Sequence, residues 1–225
     1  MSNVATSCRD TAELNKLVKV MLDLAIADIK SQGVNPLIVE TYRPQERQNY
    51  LYCQGRTIAE CTAMGISSSF AKAYCNPKVG KVTWTLNSVH KGRKAVDVVP
   101  QRIVSGKMAA IWNTKDPQTQ IIIRTMQKYG FEAGANWTTT PDSPHFQVKG
   151  DFTNVFKMGC TTPYVTKAIQ TALNAKIKAG LSVDGSWGPK TATAVNAFRK
   201  YMRYKNTTSG QIGKDALRDL FSLYI

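Results

Sequence analysis

The sequence predicts an α+β protein, in which a small antiparallel sheet with flanking helices is followed by a small three-helix bundle. Apolar residues recur at helical spacing within residues 10–33 and 117–129. Short apolar runs typical of strands lie between and beside these helices, at residues 36–39, 82–86, 95–99 and 146–148. Beyond residue 163 the apolar pattern is purely helical. The 225 residues, 43% of them apolar, suffice for a medium domain plus a small one.

Capping signals set the expected boundaries of the first elements. Asp10 followed by Glu13 has the pattern of a helix N-terminus, and Gly33 supplies the stop. A second helix is expected over residues 44–54. Residues 56–82 contain Ser, Ala and Gly with weak periodicity, so we expect a loop with some short helix there.

A linker-like stretch at residues 158–163 divides the chain into two predicted domains, residues 1–158 and residues 163–225. The second part contains a weak internal repeat, in which the turn at residues 184–191 is echoed at 209–216. Each copy is a turn bracketed by glycines, contains one apolar residue that plugs it, and is followed by a helix. We therefore expect a compact module of three helices.

The charge balance favours an anionic partner. Lys and Arg number 30 against 15 Asp and Glu, which gives a net charge of +15. Such a field suits nucleic acid, an acidic membrane surface or a carboxylate-rich wall polymer, although a solubilising surface without a partner is the alternative. No apolar run approaches the ~18–20 residues of a bilayer-spanning helix, and the first residues lack a signal-peptide pattern.

The five cysteines are scattered and contain no Cys-x-x-Cys pair. Their odd number, without a signal sequence, argues against a disulfide framework, and their spacing argues against a cysteine zinc knot. We expect buried or idle thiols, with a bridge inside the segment from Cys53 to Cys75 as the open alternative. The cysteines are Cys8, Cys53, Cys61, Cys75 and Cys160.

The two histidines, His90 and His145, both lie near a carboxylate. Asp97 falls inside an apolar strand seven residues after His90, and Asp142 precedes His145 by three residues. A buried carboxylate needs an arginine, hydrogen-bond donors or a metal ion. Two imidazoles and one carboxylate, with one position left for water, are typical of a catalytic zinc site, in which a second carboxylate can serve as base. Either histidine taken alone is more often an ordinary polar or core residue.

These motifs together resemble the zinc peptidases of the D-Ala-D-Ala carboxypeptidase/L-alanyl-D-glutamate peptidase group, which includes phage endolysins. The resemblance covers roughly residues 35–150 and combines several short segments. They are residues 41–43, 51–57, 88–90, 95–97, 130–137 and 142–145. Residues 163–225 resemble a three-helix peptidoglycan-binding module.

The resemblance implies one Zn²⁺ ion held by His90, Asp97 and His145, with Asp142 as general base. Arg43 matches an arginine that in relatives faces the substrate and stabilises the oxyanion, and its alternative role is a salt bridge with Glu40 or Glu46. Further pocket residues implied by the resemblance are Ser88, Gln54 and Trp137.

The resemblance thus predicts an endolysin: a zinc endopeptidase that cuts the peptidoglycan stem peptide between L-Ala and D-Glu and lyses the host cell. A D-Ala-D-Ala carboxypeptidase is the alternative with the same metal site, and a non-catalytic wall-binding or virion structural protein is the alternative of another class. We expect peptidoglycan as the partner, no nucleic acid, no stable membrane insertion and a monomer. Synthesis is expected in the host cytoplasm without a signal peptide, with action on the cell wall after release.

Overall fold

A computed structural model describes residues 4–148, 156–157, 159 and 163–222. Helices and strands are mixed along the described chain, so the α+β prediction is confirmed. The helices are α1 (Lys16–Ser31), α2 (Gln45–Cys53), α3 (Ile58–Ala63), α4 (Ser68–Tyr74), α5 (Pro117–Lys128), α6 (Pro163–Ile177), α7 (Pro189–Tyr201) and α8 (Lys214–Ser222). The strands are β1 (Pro36–Glu40), β2 (Ala95–Val104), β3 (Lys107–Ala110), β4 (Glu132–Ala133) and β5 (His145–Gln147).

The sheet is antiparallel, and its long strand β2 lies between β1 and β5. The strand order is β1-β2-β5-β4, while β3 pairs with the second half of β2 as a hairpin. The register places Asp97 of β2 opposite Glu40 on one side and His145 on the other. Because β2 is flanked on both sides, polar groups from three distant parts of the chain meet at Asp97.

One continuous apolar core joins the sheet to the helices of both predicted domains. Helix α1 buries an apolar face that packs on α5, and it also contacts α6 and α8. At Gly130, with φ +93°, a Cβ atom would collide with the ring of Tyr164 in α6. Helix α6 therefore lies directly against the first part of the chain. Of the predicted linker, Met158, Cys160, Thr161 and Thr162 lie outside the described residues.

The two glycine-bracketed turns of the C-terminal part have the predicted apolar plugs. Trp187 is buried in the first turn and Ile212 in the second. Gln170 of α6 secures the first turn, since its amide oxygen accepts from the Gly185 backbone N–H at 2.9 Å. Gly185 has φ +81°, and a Cβ atom there would lie 2.7 Å from the Pro163 carbonyl oxygen, so the turn requires glycine.

A second, smaller apolar cluster lies beneath α2, α3 and α4, apart from the main core. Helices α3 and α4 occupy the stretch that the sequence predicts as a loop with some short helix, and this prediction is confirmed, as is the helix expected over residues 44–54. Thr57 begins α3 with a capping box that includes Glu60, and Ser67 caps α4.

The prediction of a strand at residues 82–86 is wrong. These residues have no strand partner in the described part of the chain, and the side-chain amide of Gln48 donates to the Thr85 carbonyl oxygen at 2.6 Å. A side chain therefore satisfies a backbone group that a strand would offer to its neighbour. The first helix also begins later than expected: Asp10 caps a single 3₁₀ turn, and Asn15 caps α1.

Among the described helices, none combines the length and the apolar character that crossing a bilayer requires.

Candidate active site

Three elements bring His90, Asp97 and His145 together. His90 lies in a 3₁₀ turn at Val89–Gly92 that Ser88 caps by accepting from the His90 backbone N–H. Asp97 lies in β2, and His145 begins β5 directly opposite Asp97. Strand pairing therefore joins two of the three groups, and the capped turn delivers the third.

The ligand-type atoms of the three side chains form a nearly equilateral triangle. His90 Nε2 lies 3.1 Å from Asp97 Oδ1 and 3.2 Å from His145 Nδ1, and His145 Nδ1 lies 3.2 Å from Asp97 Oδ1. Both imidazoles are buried, with 1% and 6% of their surface exposed. A tetrahedral Zn²⁺ ion with bonds of ~2.0–2.1 Å holds its ligand atoms roughly 3.3 Å apart, so the triangle has the right size.

Hydrogen bonds to the far side of each ring decide which nitrogen faces the triangle. His90 Nδ1 donates to the Thr41 carbonyl oxygen at 2.6 Å, and His145 Nε2 donates to Gln147 Oε1 at 3.2 Å. Gln147 is held in turn by Glu132, whose carboxylate accepts from its amide at 2.6 Å. With those protons placed outward, His90 Nε2 and His145 Nδ1 present lone pairs, as metal-binding imidazoles do.

Three acceptor atoms at these distances require positive charge between them. A proton can supply it: burial acts to lower the pKa of His145, but the hydrogen bond and charge of Asp97, together with Gln147 and Asp142, outweigh burial and raise that pKa above its ordinary value. Burial likewise acts to raise the pKa of Asp97, and contacts with His145 and His90 hold it below its usual range. Asp97 is therefore ionised at neutral pH, and the three atoms are a donor set that a divalent cation can also bind.

A cleft of about 430 Å³ opens over the triangle from the side of His145. Of the side chains predicted from the sequence, Arg43, Ser88, Trp137 and Asp142 line it. The Trp137 ring centroid lies 5.1 Å from that of His145 and so covers one face of the imidazole. Four of the expected pocket groups thus share one concave surface with a metal-ligand candidate.

Asp142 lies at the cleft on a turn that packs against the backbone of Gly134, where no side chain would fit. The backbone N–H of Asp142 donates to the Gly134 carbonyl oxygen at 3.0 Å, and the His145 N–H donates to the Asp142 carbonyl oxygen at 3.2 Å. A Cβ atom on Gly134 would lie 2.6 Å from the Asp142 carbonyl oxygen. Desolvation, followed by the neighbouring Asp97 carboxylate, raises the pKa of Asp142 above its ordinary value. A raised pKa suits a carboxylate that accepts and returns a proton near neutral pH.

Arg43 both lines the cleft and forms the salt bridge considered as its alternative. Its Nη2 lies 2.6 Å from Glu40 Oε2 and 3.5 Å from Asp97 Oδ2, while Nη1 donates to Gln48 Oε1 at 3.0 Å. Glu40 is buried and also pairs with Arg47. These contacts fix the guanidinium beside Asp97 and, since a guanidinium has five N–H donors, leave donor capacity for a substrate oxygen.

Gln54 lies outside this cleft. Its amide nitrogen donates to the carbonyl oxygens of Tyr50 and Tyr74, which ties the end of α2 to α4. Its side chain therefore supports the helical part rather than the described cleft surface.

Sequence reasoning missed Thr41, Gln48 and Gln147, which orient the site. Gln147 carried a usable signal, because it lies two residues after His145 in a strand and so shares its face. Thr41 acts through its backbone carbonyl, which no side-chain pattern marks. Gln48 accepts from Arg43, five residues earlier, but contacts with Thr83 and Thr85 that span 35 and 37 residues hold it in place, so it had no complete local pattern.

Residues 81–148 match a family model described as D-alanyl-D-alanine carboxypeptidase. This stretch contains all three corners of the triangle and Asp142. The match supports peptidase activity for this chain. It confirms the resemblance to zinc peptidases of this group, and the triangle supplies a set of side chains suited to their metal.

The chain is also similar to a solved structure, the L-Ala D-Glu endopeptidase ChiX of Serratia marcescens. The identity is 21%, the similarity covers 66% of this chain and 84% of that chain, and the TM-score is 0.33. No curated protein matches the chain.

Replacing either imidazole should abolish metal binding. We expect His90→Ala and His145→Ala to lose the single equivalent of zinc, because each removes one of three ligands. Gln147→Ala should keep the ligands but weaken zinc binding by about 10–100-fold, since it only releases the orientation of His145. Metal content after dialysis and competition with a zinc chelator measure both effects. A full equivalent of tightly bound zinc in either histidine variant would contradict the assignment.

Proposed function

We propose that this chain is an endolysin: a zinc endopeptidase that hydrolyses the peptidoglycan stem peptide between L-Ala and D-Glu. The observation that carries the proposal is the triangle of His90, Asp97 and His145 beneath a cleft that Arg43 and Asp142 also line. One bound substrate could therefore meet the metal site, Asp142 as a base and the Arg43 guanidinium as a cation. We also propose that the enzyme lyses the host cell and that it acts on the wall as a monomer.

The side chains of the cleft can divide the work of amide hydrolysis. A Zn²⁺ ion held by His90, Asp97 and His145 would supply Lewis-acid chemistry for the scissile carbonyl and would lower the pKa of the attacking water. Asp142 accepts the proton of the attacking water and returns it to the leaving amine. Arg43, held by Glu40 and Gln48, places positive charge where the carbonyl oxygen becomes negative.

The cleft favours an endopeptidase over a carboxypeptidase. A carboxypeptidase must bind the free terminal carboxylate of its substrate, which calls for a cation in addition to the metal. Among the described residues that line the cleft, Arg43 is the one Lys or Arg side chain, and it is already paired with Glu40 and Asp97, while His145 belongs to the proposed metal site. The cleft therefore has no second cation reserved for a chain end.

Analysis of digested wall fragments decides between the two scissile bonds. We expect mass spectrometry to find new N-terminal D-Glu on muropeptides treated with the zinc-loaded chain. Release of free D-Ala instead would identify the carboxypeptidase. If the zinc-loaded chain binds walls and releases neither product, the non-catalytic alternative is favoured and our proposal fails.

Asp142→Asn should separate metal binding from turnover. The amide cannot accept the proton, so we expect hydrolysis of soluble muropeptides to slow by roughly 10²–10⁴-fold while bound zinc stays at one equivalent. Asp23→Asn, a surface change in α1 outside the cleft, is the matched control and should leave the rate unchanged. Near-normal turnover by the Asp142 variant would remove Asp142 from the role of base.

The C-terminal helices are proposed to hold the enzyme on its insoluble substrate. Lys190 stands exposed near the start of α7 and lines two adjoining cavities beside the first glycine-bracketed turn. A lysine beside a concave surface suits the free carboxylates of peptidoglycan. Tethering raises the local concentration of enzyme at the wall without altering the chemistry. Because α6 and α8 pack on α1, point substitutions test this role better than truncation does.

Lys190→Glu should weaken attachment to intact walls without slowing the chemistry. We expect at least about threefold weaker co-sedimentation with walls, since one favourable charge contact becomes repulsive. Lys200→Glu, an exposed position at the other end of the same helix, makes the same change in net charge. Equal losses in both variants would point to net charge alone, and unchanged binding in both would contradict a wall site at this turn.

A further inference from the structure

Three cysteines that are scattered in the sequence converge in the small helical part of the fold. Cys53 ends α2, Cys61 lies in α3 and Cys75 caps the C-terminus of α4. Their Sγ atoms all lie within 4.8 Å of one another. We call Cys53, Cys61 and Cys75 the thiol triangle.

The thiol triangle is enclosed by apolar side chains but is reachable from one side. Cys53 and Cys61 have no exposed surface, whereas Cys75 is only partly buried. Tyr52, Ile66 and Ala71 complete the buried cluster around the sulfur atoms. An ion could therefore enter past Cys75 and be shielded from water by the other two.

A buried cation lies beside the thiol triangle. The Arg56 guanidinium, 5% exposed, stacks on the Tyr52 ring with its carbon 3.7 Å from the ring centroid. Three thiolates around one ion carry net negative charge, which such a guanidinium offsets. Burial raises the pKa of Cys53 and of Cys61, so these thiols are protonated and poorly nucleophilic at neutral pH.

We infer that Cys53, Cys61 and Cys75 form a binding site for one thiophilic metal ion, Cu⁺ or Zn²⁺. Soft thiolate ligands select these ions. A planar set of three thiolates with bonds of ~2.3 Å holds its sulfur atoms roughly 4.0 Å apart, which is within the observed limit. Cu⁺ is satisfied by three sulfur ligands, while Zn²⁺ would add a water on the Cys75 side. Each thiol that binds releases its proton to solvent.

A bound ion would stabilise a part of the fold that has little core of its own. Helices α2, α3 and α4 contain 9, 6 and 7 residues, and the cluster beneath them is separate from the main core. Small cores of this kind are commonly strengthened by a metal or a disulfide. Arg56 also donates to the Tyr52 and Thr83 carbonyl oxygens, at 2.6 and 2.8 Å, so this part supports the cleft wall at Thr83.

The arrangement favours a metal over a disulfide. A disulfide joins two sulfur atoms and leaves the third without a role, whereas all three Sγ atoms here are mutual neighbours. The site is independent of the proposed function, because it shares no side chain with the triangle of His90, Asp97 and His145.

Cadmium titration of the full-length chain tests the site. The Cys8→Ser/Cys160→Ser background leaves the thiol triangle as the only source of sulfur ligands from cysteine. With Cd²⁺ as the probe, under anaerobic conditions, we expect an ultraviolet thiolate-to-metal charge-transfer band whose final intensity corresponds to one thiolate-bound ion per chain and is reached within two equivalents of Cd²⁺. The histidine–aspartate site binds Cd²⁺ without such a band, because it has no sulfur ligand.

Adding Cys75→Ser to this background should abolish the band, while circular dichroism should show the same helix content. Cys75 is only partly buried, so serine should be tolerated there. Protein isolated without reductant should contain three reactive thiols after unfolding. Absence of the band in the parent background would overturn the inference, as would its persistence in the Cys75 variant or a count of one thiol, which marks a disulfide.

Discussion

The buried carboxylate of Asp97 is the group on which the rest of the site depends. An isolated charge at the centre of a sheet would be costly, and the fold offsets it with the Arg43 guanidinium and with the positive charge that Asp97 and the two imidazoles require between them. The register of β2 places His145 opposite Asp97 from one neighbouring strand and Glu40, which holds Arg43, from the other, while the capped turn delivers His90. A one-residue slip of β2 would turn Asp97 to the other face and separate the cluster.

The groups around this carboxylate form a connected polar network. Thr41 and Gln147 orient the two imidazoles through the ring nitrogens that face away from Asp97. Glu40 forms buried salt bridges with both Arg43 and Arg47, and so holds Arg43 in place. Each of these contacts limits the freedom of a side chain at the site or of a group that supports it. The cleft is thus pre-organised, which is how an enzyme avoids reorienting its groups during reaction.

The two parts of the chain are less separate than a linker implies. Helix α1 lies between the sheet and the C-terminal helices, so the proposed wall-binding module packs directly on the peptidase core. The thiol triangle, in contrast, lies in a small apolar cluster that is separate from the main core. A metal ion there would supply stability that the apolar contacts of three short helices provide only in part.

The sequence by itself determined the α+β class, most helix spans and the metal-ligand candidates. Helical periodicity and capping residues act locally, and histidines beside carboxylates are recognisable by type. Only the tertiary structure decided that Arg43 pairs with Glu40, that Gln54 lies outside the cleft and that residues 82–85 form a cleft wall instead of a strand. It also decided that three cysteines meet. These outcomes depend on contacts between distant residues, which compete in space and leave no periodic pattern along the chain.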